Sequence, residues 1–151
     1  WASNGTLRTP SADDFVALYT KASRTKAVYT YEGVEVNGTY FIDPAAGTEP
    51  VIDTDNVKVL KSADLAVGLF LPYSGRTYAA TDYKLYAVNT IGVYRTTTVN
   101  LNSSLDATNG VIYRVSYIVE SEKNSKGLYG SFYNAGWGAN GRYAIRPVKV
   151  K

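Results

Sequence analysis

One segment near the amino end of the chain carries helical periodicity, and most of the chain after it alternates with a period of two. Ser11 is followed three residues later by Asp14, which is a capping-box pattern with Asp in place of Glu, and Pro10 stands just before it. Apolar side chains then recur at i, i+3, i+4 and i+7, namely Phe15, Leu18, Tyr19 and Ala22. The pattern predicts a helix over 11–23 with one apolar face.

Short runs of β-forming residues come after this helix. Asn37-Gly38 is the dipeptide that supplies positive φ for a type I′ turn, so we expect a hairpin between 34–36 and 39–42. The other predicted strands cover 27–31, 57–60, 65–71, 83–88, 91–99, 111–120 and 143–150. One helix followed by short strands predicts an α+β fold.

The last predicted strand changes its apolar phase partway along. Tyr143 and Ile145 hold one phase, Val148 and Val150 hold the other, and Pro147 stands between them. Proline cannot donate to a ladder, so this position is expected to be a bulge or an edge. Long polar connections are predicted over 43–56, 100–110 and 122–141, and long connections in a small domain tend to be functional.

Composition narrows the class of protein. The 151 residues suit one domain over 1–151, and a hydrophobic fraction of 45% can build its core without disulfides. Cys, His and Met are absent, which excludes a thiol nucleophile, a Ser-His-Asp triad and the usual zinc, haem or iron–sulfur sites. A chain without an initiator Met is expected to be a processed or excised product, and no apolar run is long enough to predict a membrane span.

Positive charge gathers at the carboxyl end of the chain. Arg142, Arg146, Lys149 and Lys151 have no acidic residue among them. Such a tail can bind nucleic acid, but no basic helix or stacking-sheet motif accompanies it here. We therefore expect a solvated strand face and no nucleic-acid partner.

Four segments, in order along the chain, resemble one known family. Residues 6–15 (TLRTPSADDF) resemble the W-R-L-P-T-x-x-E-W/F opening of the Fibrobacter succinogenes major paralogous domain. Residues 68–75 (GLFLPYSG) resemble its L-F-L-P-A-A-G segment, and 92–97 (GVYRTT) its G-Y-Y-W-S-S-T segment. Residues 141–148 (GRYAIRPV) resemble its closing G-x-S-V-R-P/C-V.

This resemblance implies a C-type-lectin-like fold. Such a fold has one main N-terminal helix, a small twisted antiparallel sheet, long loops and adjacent chain ends. The family also implies a secreted, outer-membrane-attached or fimbrial protein of Bacteroidetes or related bacteria. We therefore expect a domain of a larger cell-surface protein. The domain is expected to be monomeric, because charged residues interrupt the candidate strands and discourage edge pairing, namely Lys58, Lys61, Lys84 and Arg114.

The segment from Gly127 to Gly141 has the composition of a binding surface. Large aromatic rings are interleaved with Gly, Ser and Asn, which give contact area and adaptable hydrogen bonds. The alternative is that its rings pack back onto the sheet and its glycines only form turns. The candidate ligand-binding residues are Tyr129, Ser131, Tyr133, Asn134, Trp137 and Asn140.

Metal and catalytic sites are not expected. Asp53-Thr-Asp55-Asn56 begins like a calcium loop, but an EF-hand needs a ligand and a glycine where Val57 and Lys58 stand. The E-P-N and W-N-D signatures of calcium-dependent lectins are also missing. No carboxylate pair is set up for glycoside hydrolysis, because Asp13 and Asp14 suit a helix start. We predict no cofactor, no metal and no enzymatic activity.

Three hypotheses for function remain after these exclusions. The first is a non-catalytic extracellular adhesion domain that binds a host or bacterial surface glycan or protein. The second is a structural domain that serves the assembly of a fimbrial or lipoprotein subunit, with an exposed strand edge or groove. The third is a receptor-binding protein of the lectin fold, diversified by a retroelement in the segment before the closing R-P-V strand.

Overall fold

A computed structural model describes residues 7–77, 84–99, 114–120, 130–133 and 148–149 of the chain. These ranges contain two helices and nine strands. In chain order they are β1 (Leu7–Arg8), α1 (Ala12–Lys21), β2 (Ser23–Tyr31), β3 (Val34–Ile42), β4 (Ile52–Leu60), α2 (Ser62–Val67), β5 (Leu69–Pro72), β6 (Ile91–Val99), β7 (Arg114–Glu120), β8 (Gly130–Tyr133) and β9 (Val148–Lys149).

The strands of these ranges form three sheets. The largest has the order β4-β2-β3-β5, a second has the order β6-β7-β8, and β1 pairs with β9. The mixed α and β composition predicted from the sequence is confirmed, but β2 and β4 run parallel, whereas an antiparallel sheet was expected. Leu7 lies opposite Lys149 in the β1–β9 pair, so the expected approach of the C-terminal strand to the N-terminal segment is confirmed.

Helix α1 begins as the capping box predicts. Ser11 Oγ accepts the Asp14 N–H at 3.3 Å, and an Asp14 carboxylate oxygen accepts the Ser11 N–H at 2.6 Å. The helix ends at Lys21, two residues earlier than expected, because Ala22 is already extended and Ser23 begins β2. The start of α1 is tied to β6 through the Ala12 N–H, which donates to Thr98 Oγ1 at 2.8 Å.

The hairpin between β2 and β3 turns at a different dipeptide from the one predicted. Glu32 and Gly33 have φ values of 48° and 81° and form the turn. The predicted turn at Asn37-Gly38 is wrong, since both residues lie inside β3 opposite Val28 and Ala27. Tertiary packing explains why position 38 is a glycine, because a Cβ there would lie 2.5 Å from the Leu71 carbonyl oxygen and from the Phe70 ring.

The predicted strand at 65–71 is wrong over its first half. Residues 62–67 form α2, and only 69–72 are a strand. Asp64 holds the start of α2, because its carboxylate accepts the Lys61 N–H at 2.8 Å and pairs with Lys58 Nζ at 2.7 Å. The predicted loop at 43–56 is also too long, because β4 already begins at Ile52.

The remaining predicted strands have mixed outcomes. The strand at 91–99 is confirmed with its bounds. Residues 84–90 carry only an isolated bridge at Tyr86 and then a turn, so the strand predicted at 83–88 is wrong there. The strand predicted at 111–120 is described from Arg114, and the one at 143–150 only at Val148–Lys149.

An apolar cluster lies on each face of the largest sheet. On one face α1 packs against the sheet, in a cluster of Phe15, Ala22, Phe41, Leu71, Tyr73 and Tyr94. On the other face a second cluster holds Ala27, Tyr40, Leu60 and Phe70. Because successive side chains of a strand point to opposite faces, adjacent pairs such as Tyr40 and Phe41 serve both clusters. This arrangement leaves a groove beside α1.

Candidate functional site

Two of the six predicted recognition residues are described by the structure. Tyr129, Asn134, Trp137 and Asn140 are outside the described residues. Ser131 and Tyr133 lie within β8, so the segment predicted as one loop contains a strand. The sequence did not indicate this strand, because Gly and Ser are poor strand formers and only Phe132 and Tyr133 favour a strand there.

Among the described strands, β8 lies at one edge of the β6-β7-β8 sheet. Tyr133 is opposite Ser116 of β7, which is in turn opposite Arg95 of β6. Ser131 is opposite Ile118 in the same register. Residues two apart in a strand share a face, so two of the six predicted contact positions lie together on one face at a sheet edge.

A groove runs beside α1, at the end of the largest sheet. It consists of two adjoining cavities of about 320 and 360 Å³, which share the lining residues Leu18, Ala22, Asp43 and Leu69. One cavity extends toward α2, where Val67 lines it, and the other extends along α1 toward Pro10. Leu18 lies on the apolar face of the helix, as the sequence predicted: it is half-buried, packs against the core cluster and also lines the groove.

Arg8 neutralises one carboxylate at the groove. Its guanidinium donates to both Asp14 carboxylate oxygens, at 2.6 and 2.7 Å. These bonds from Arg8, with smaller contributions from the Ser11 N–H and hydroxyl, hold the pKa of the Asp14 carboxyl well below its usual range. Asp14 is therefore ionised and already paired at neutral pH.

Two other charged residues line the same cavity. Lys21, in the last turn of α1, and Asp43, just after β3, are both exposed. The ion pairs of the described residues join Arg8 to Asp14 and Lys58 to Asp64, so neither Lys21 nor Asp43 is neutralised there. Within this described part of the chain, the groove thus offers one free cation and one free anion beside an apolar floor. No pattern in the sequence indicated that these two residues share a site.

The Asp53 carboxylate of β4 is engaged within the chain. Asp53 Oδ1 accepts the N–H groups of Asp55 and Asn56, and the Asn56 side-chain amide donates to both Asp53 carboxylate oxygens at 3.1 and 3.3 Å. These bonds, with the Asn56 amide first among them, lower the pKa of Asp53. In the part of the chain that is described, no three acidic residues cluster so that they could hold a metal ion.

Comparison with known proteins adds no relative. No family model matches the chain, and no curated protein or solved structure gives a match. Neither helix within the described ranges has the length and apolar character that a bilayer crossing requires.

Proposed function

We propose that this protein is a non-catalytic extracellular binding domain with a C-type-lectin-like fold, and that it serves adhesion in a bacterial surface or fimbrial protein. The observation that carries the proposal is the position of Ser131 and Tyr133, which lie on one face of β8 at a sheet edge. A sheet edge is a surface that a ligand can approach. The sequence around it is rich in aromatic, Gly, Ser and Asn residues.

The lectin-like part of the proposal draws support from the chain path. The first and last described strands, β1 and β9, pair with each other, and the principal helix follows β1 directly. The resembling family implies both features. Its L-F-L-P segment corresponds here to β5, which lies beside β3 at the edge of the largest sheet.

The ligand is proposed to be a surface glycan or a surface protein, and a binding screen with matched variants tests this. The domain is applied to a glycan array and to immobilised bacterial and host surface proteins, together with Tyr133→Ala. Tyr31→Ala is the matched control, because Tyr31 is an exposed tyrosine at the β2–β3 hairpin of another sheet. We expect Tyr133→Ala alone to weaken binding. Absence of any retained ligand, or equal loss in both variants, would contradict the proposal.

The surface location needs its own measurement. An antibody raised against the domain is applied to intact cells of the source bacterium and to permeabilised cells. We expect labelling of intact cells. Labelling that requires permeabilisation would contradict an extracellular role.

An assembly role is the second candidate, and the β4 edge favours it. Val57 and Val59 are 59% and 69% exposed on this edge strand. Lys58, which the sequence suggested would discourage edge pairing, is held in an ion pair with Asp64. Against this role, the register of β4 shifts between Asp53 and Val57, and such a bulge protects an edge.

Sedimentation separates the assembly role from the binding role. In an assembly domain, the wild type would associate with rising concentration, and Val59→Lys would abolish the association. Thr30→Lys is the control, because Thr30 is an exposed residue of the central strand β2. The binding role instead predicts a monomer throughout.

A further inference from the structure

The groove beside α1 has an apolar floor and a rim that mixes apolar and charged side chains. Phe15 and Phe41, at 4% and 1% exposure, form the buried floor together with Ala22. At the rim, Val67 lines one of the two cavities and is 70% exposed. An exposed apolar side chain beside a cavity with an apolar floor and charged rim residues is typical of a site that a partner covers.

The charges of the groove restrict that partner. Arg8 cancels the Asp14 carboxylate through two hydrogen bonds. Lys21 and Asp43 remain as one cation and one anion that line the same cavity. A complementary partner therefore carries an acidic group, an apolar group and a basic group within a short distance of one another.

We propose that this groove is a second binding surface, and that it takes a short peptide segment of another protein. One bulky apolar side chain of the peptide enters the cavity between Leu18 and Leu69, an acidic residue meets Lys21, and a basic residue meets Asp43. A cavity of about 360 Å³ accommodates one such side chain with part of its backbone. The inference goes beyond the proposed function, because none of the described residues of 127–141 lines the groove.

Two features favour a peptide over other ligands. A sugar ring would need an exposed aromatic face, but the two rings of the described lining, Phe15 and Phe41, are buried. An anionic lipid surface would need several cations together, but this groove holds Lys21 alongside the anionic Asp43. Peptides supply opposite charges on either side of an apolar residue without difficulty.

Blocked pentapeptides test the proposal, with amide chemical shifts read by NMR. The probe is acetyl-Glu-Gly-Leu-Gly-Lys-amide, and its relatives replace Leu by Ala or replace both charged residues by Gly. We expect the probe to shift the amides of Leu18, Ala22 and Leu69. The Ala peptide is expected to bind at least about tenfold more weakly, and the uncharged peptide about two- to fivefold more weakly.

Variants of the groove complete the test. Ala17→Phe fills the cavity from an exposed position of α1 and is expected to abolish binding. Val16→Phe is the control, because Val16 is exposed on the same helix but does not line the groove. Lys21→Gln and Asp43→Asn should each reduce binding of the charged probe and leave the uncharged peptide unaffected.

Three results would overturn the peptide site. The first is that a millimolar concentration of the probe changes no amide chemical shift. The second is that the changes fall on residues outside the groove, and the third is that the Leu and Ala peptides bind equally well. Trp137→Ala should leave the groove shifts unchanged. Failure of this site is thereby distinguished from failure of the recognition segment proposed at 127–141.

Discussion

The Arg24 guanidinium lies 3.8 Å from the centre of the Tyr19 ring, and its Nη1 donates to the Tyr19 carbonyl oxygen at 2.8 Å. Arg24 is 5% exposed, and in the described part of the chain no carboxylate pairs with it. Its counter-charge is the C-terminal end of α1, because Tyr19 belongs to the last turn of the helix and its carbonyl carries part of the negative end of the dipole. The contact fastens α1 to β2.

The geometry of this contact predicts that charge alone will not replace Arg24. Arg24→Met should lower the free energy of unfolding by about 2 kcal/mol through the lost hydrogen bond and ring contact. Arg24→Lys should cost at least as much, because a buried ammonium cannot both stack and reach the carbonyl. Chemical denaturation measures both variants. Wild-type stability of Arg24→Lys would show that the planar group is not required.

Asp14 should make the free energy of unfolding depend on pH in the acidic range. Its pKa is lowered in the folded state, so its contribution is fully present above the unfolded value of about 4 and is lost as the pH falls through the lowered value. At neutral pH, Asp14→Asn should cost about 1–2 kcal/mol through the cap and the Arg8 pair. The difference from wild type should shrink as the pH falls below about 4.

Denaturation at several pH values tests the Asp14 prediction, with Asp13→Asn as the matched control. Asp13 is an exposed residue of the same first helical turn, and its replacement should cost only a few tenths of a kcal/mol. An Asp14→Asn deficit that persists unchanged in acid would contradict the assignment.

Gly33 and Gly38 should respond differently to alanine. Gly38→Ala introduces a Cβ against the Leu71 carbonyl oxygen and the Phe70 ring, and should cost about 1–3 kcal/mol. Gly33 has φ of 81° with open space around it, so Gly33→Ala should cost about 1 kcal/mol from backbone strain alone. Thermal unfolding ranks the two variants. A larger loss of stability in Gly33→Ala than in Gly38→Ala would contradict this ranking and would show that backbone strain at the turn outweighs the close packing in β3.

Calcium should not stabilise the protein. Both carboxylate oxygens of Asp53 accept hydrogen bonds from Asn56, so a cation would have to displace bonds already formed. We expect millimolar calcium to shift the melting temperature by less than about 1 °C relative to a chelator-treated sample. A clear rise that Asp53→Asn removes would contradict this expectation and reveal a calcium site at Asp53.

Trp137 offers a test of the predicted recognition segment by mutation. If it is an exposed anchor, Trp137→Ala should leave stability almost unchanged and weaken the binding of a ligand found in the screen by about 2 kcal/mol. If it belongs to the core, the same change should cost about 3–5 kcal/mol of stability. Thermal unfolding distinguishes these results, and a large loss of stability would show that Trp137 is not a contact residue.

Local signals along the chain determined several elements correctly. The Ser11–Asp14 capping box positioned the start of α1, and the alternation over 91–99 defined β6 with its bounds. These features depend on neighbours within one turn or one strand, so their energetics are readable from sequence. The zero counts of Cys and His likewise exclude whole classes of chemistry without any coordinates.

Only the tertiary structure decided the features that depend on distant partners. Gly38 lies inside β3, where the Phe70 ring leaves no room for a Cβ. Residues 62–67 are helical beside Tyr40, whose hydroxyl donates to the Asp64 carbonyl oxygen. The groove also depends on tertiary packing. Lys21 and Asp43 belong to different parts of the chain, and they line one cavity only because α1 packs on the sheet. Close approach and shared burial arise between residues far apart in the chain, and no local pattern encodes them.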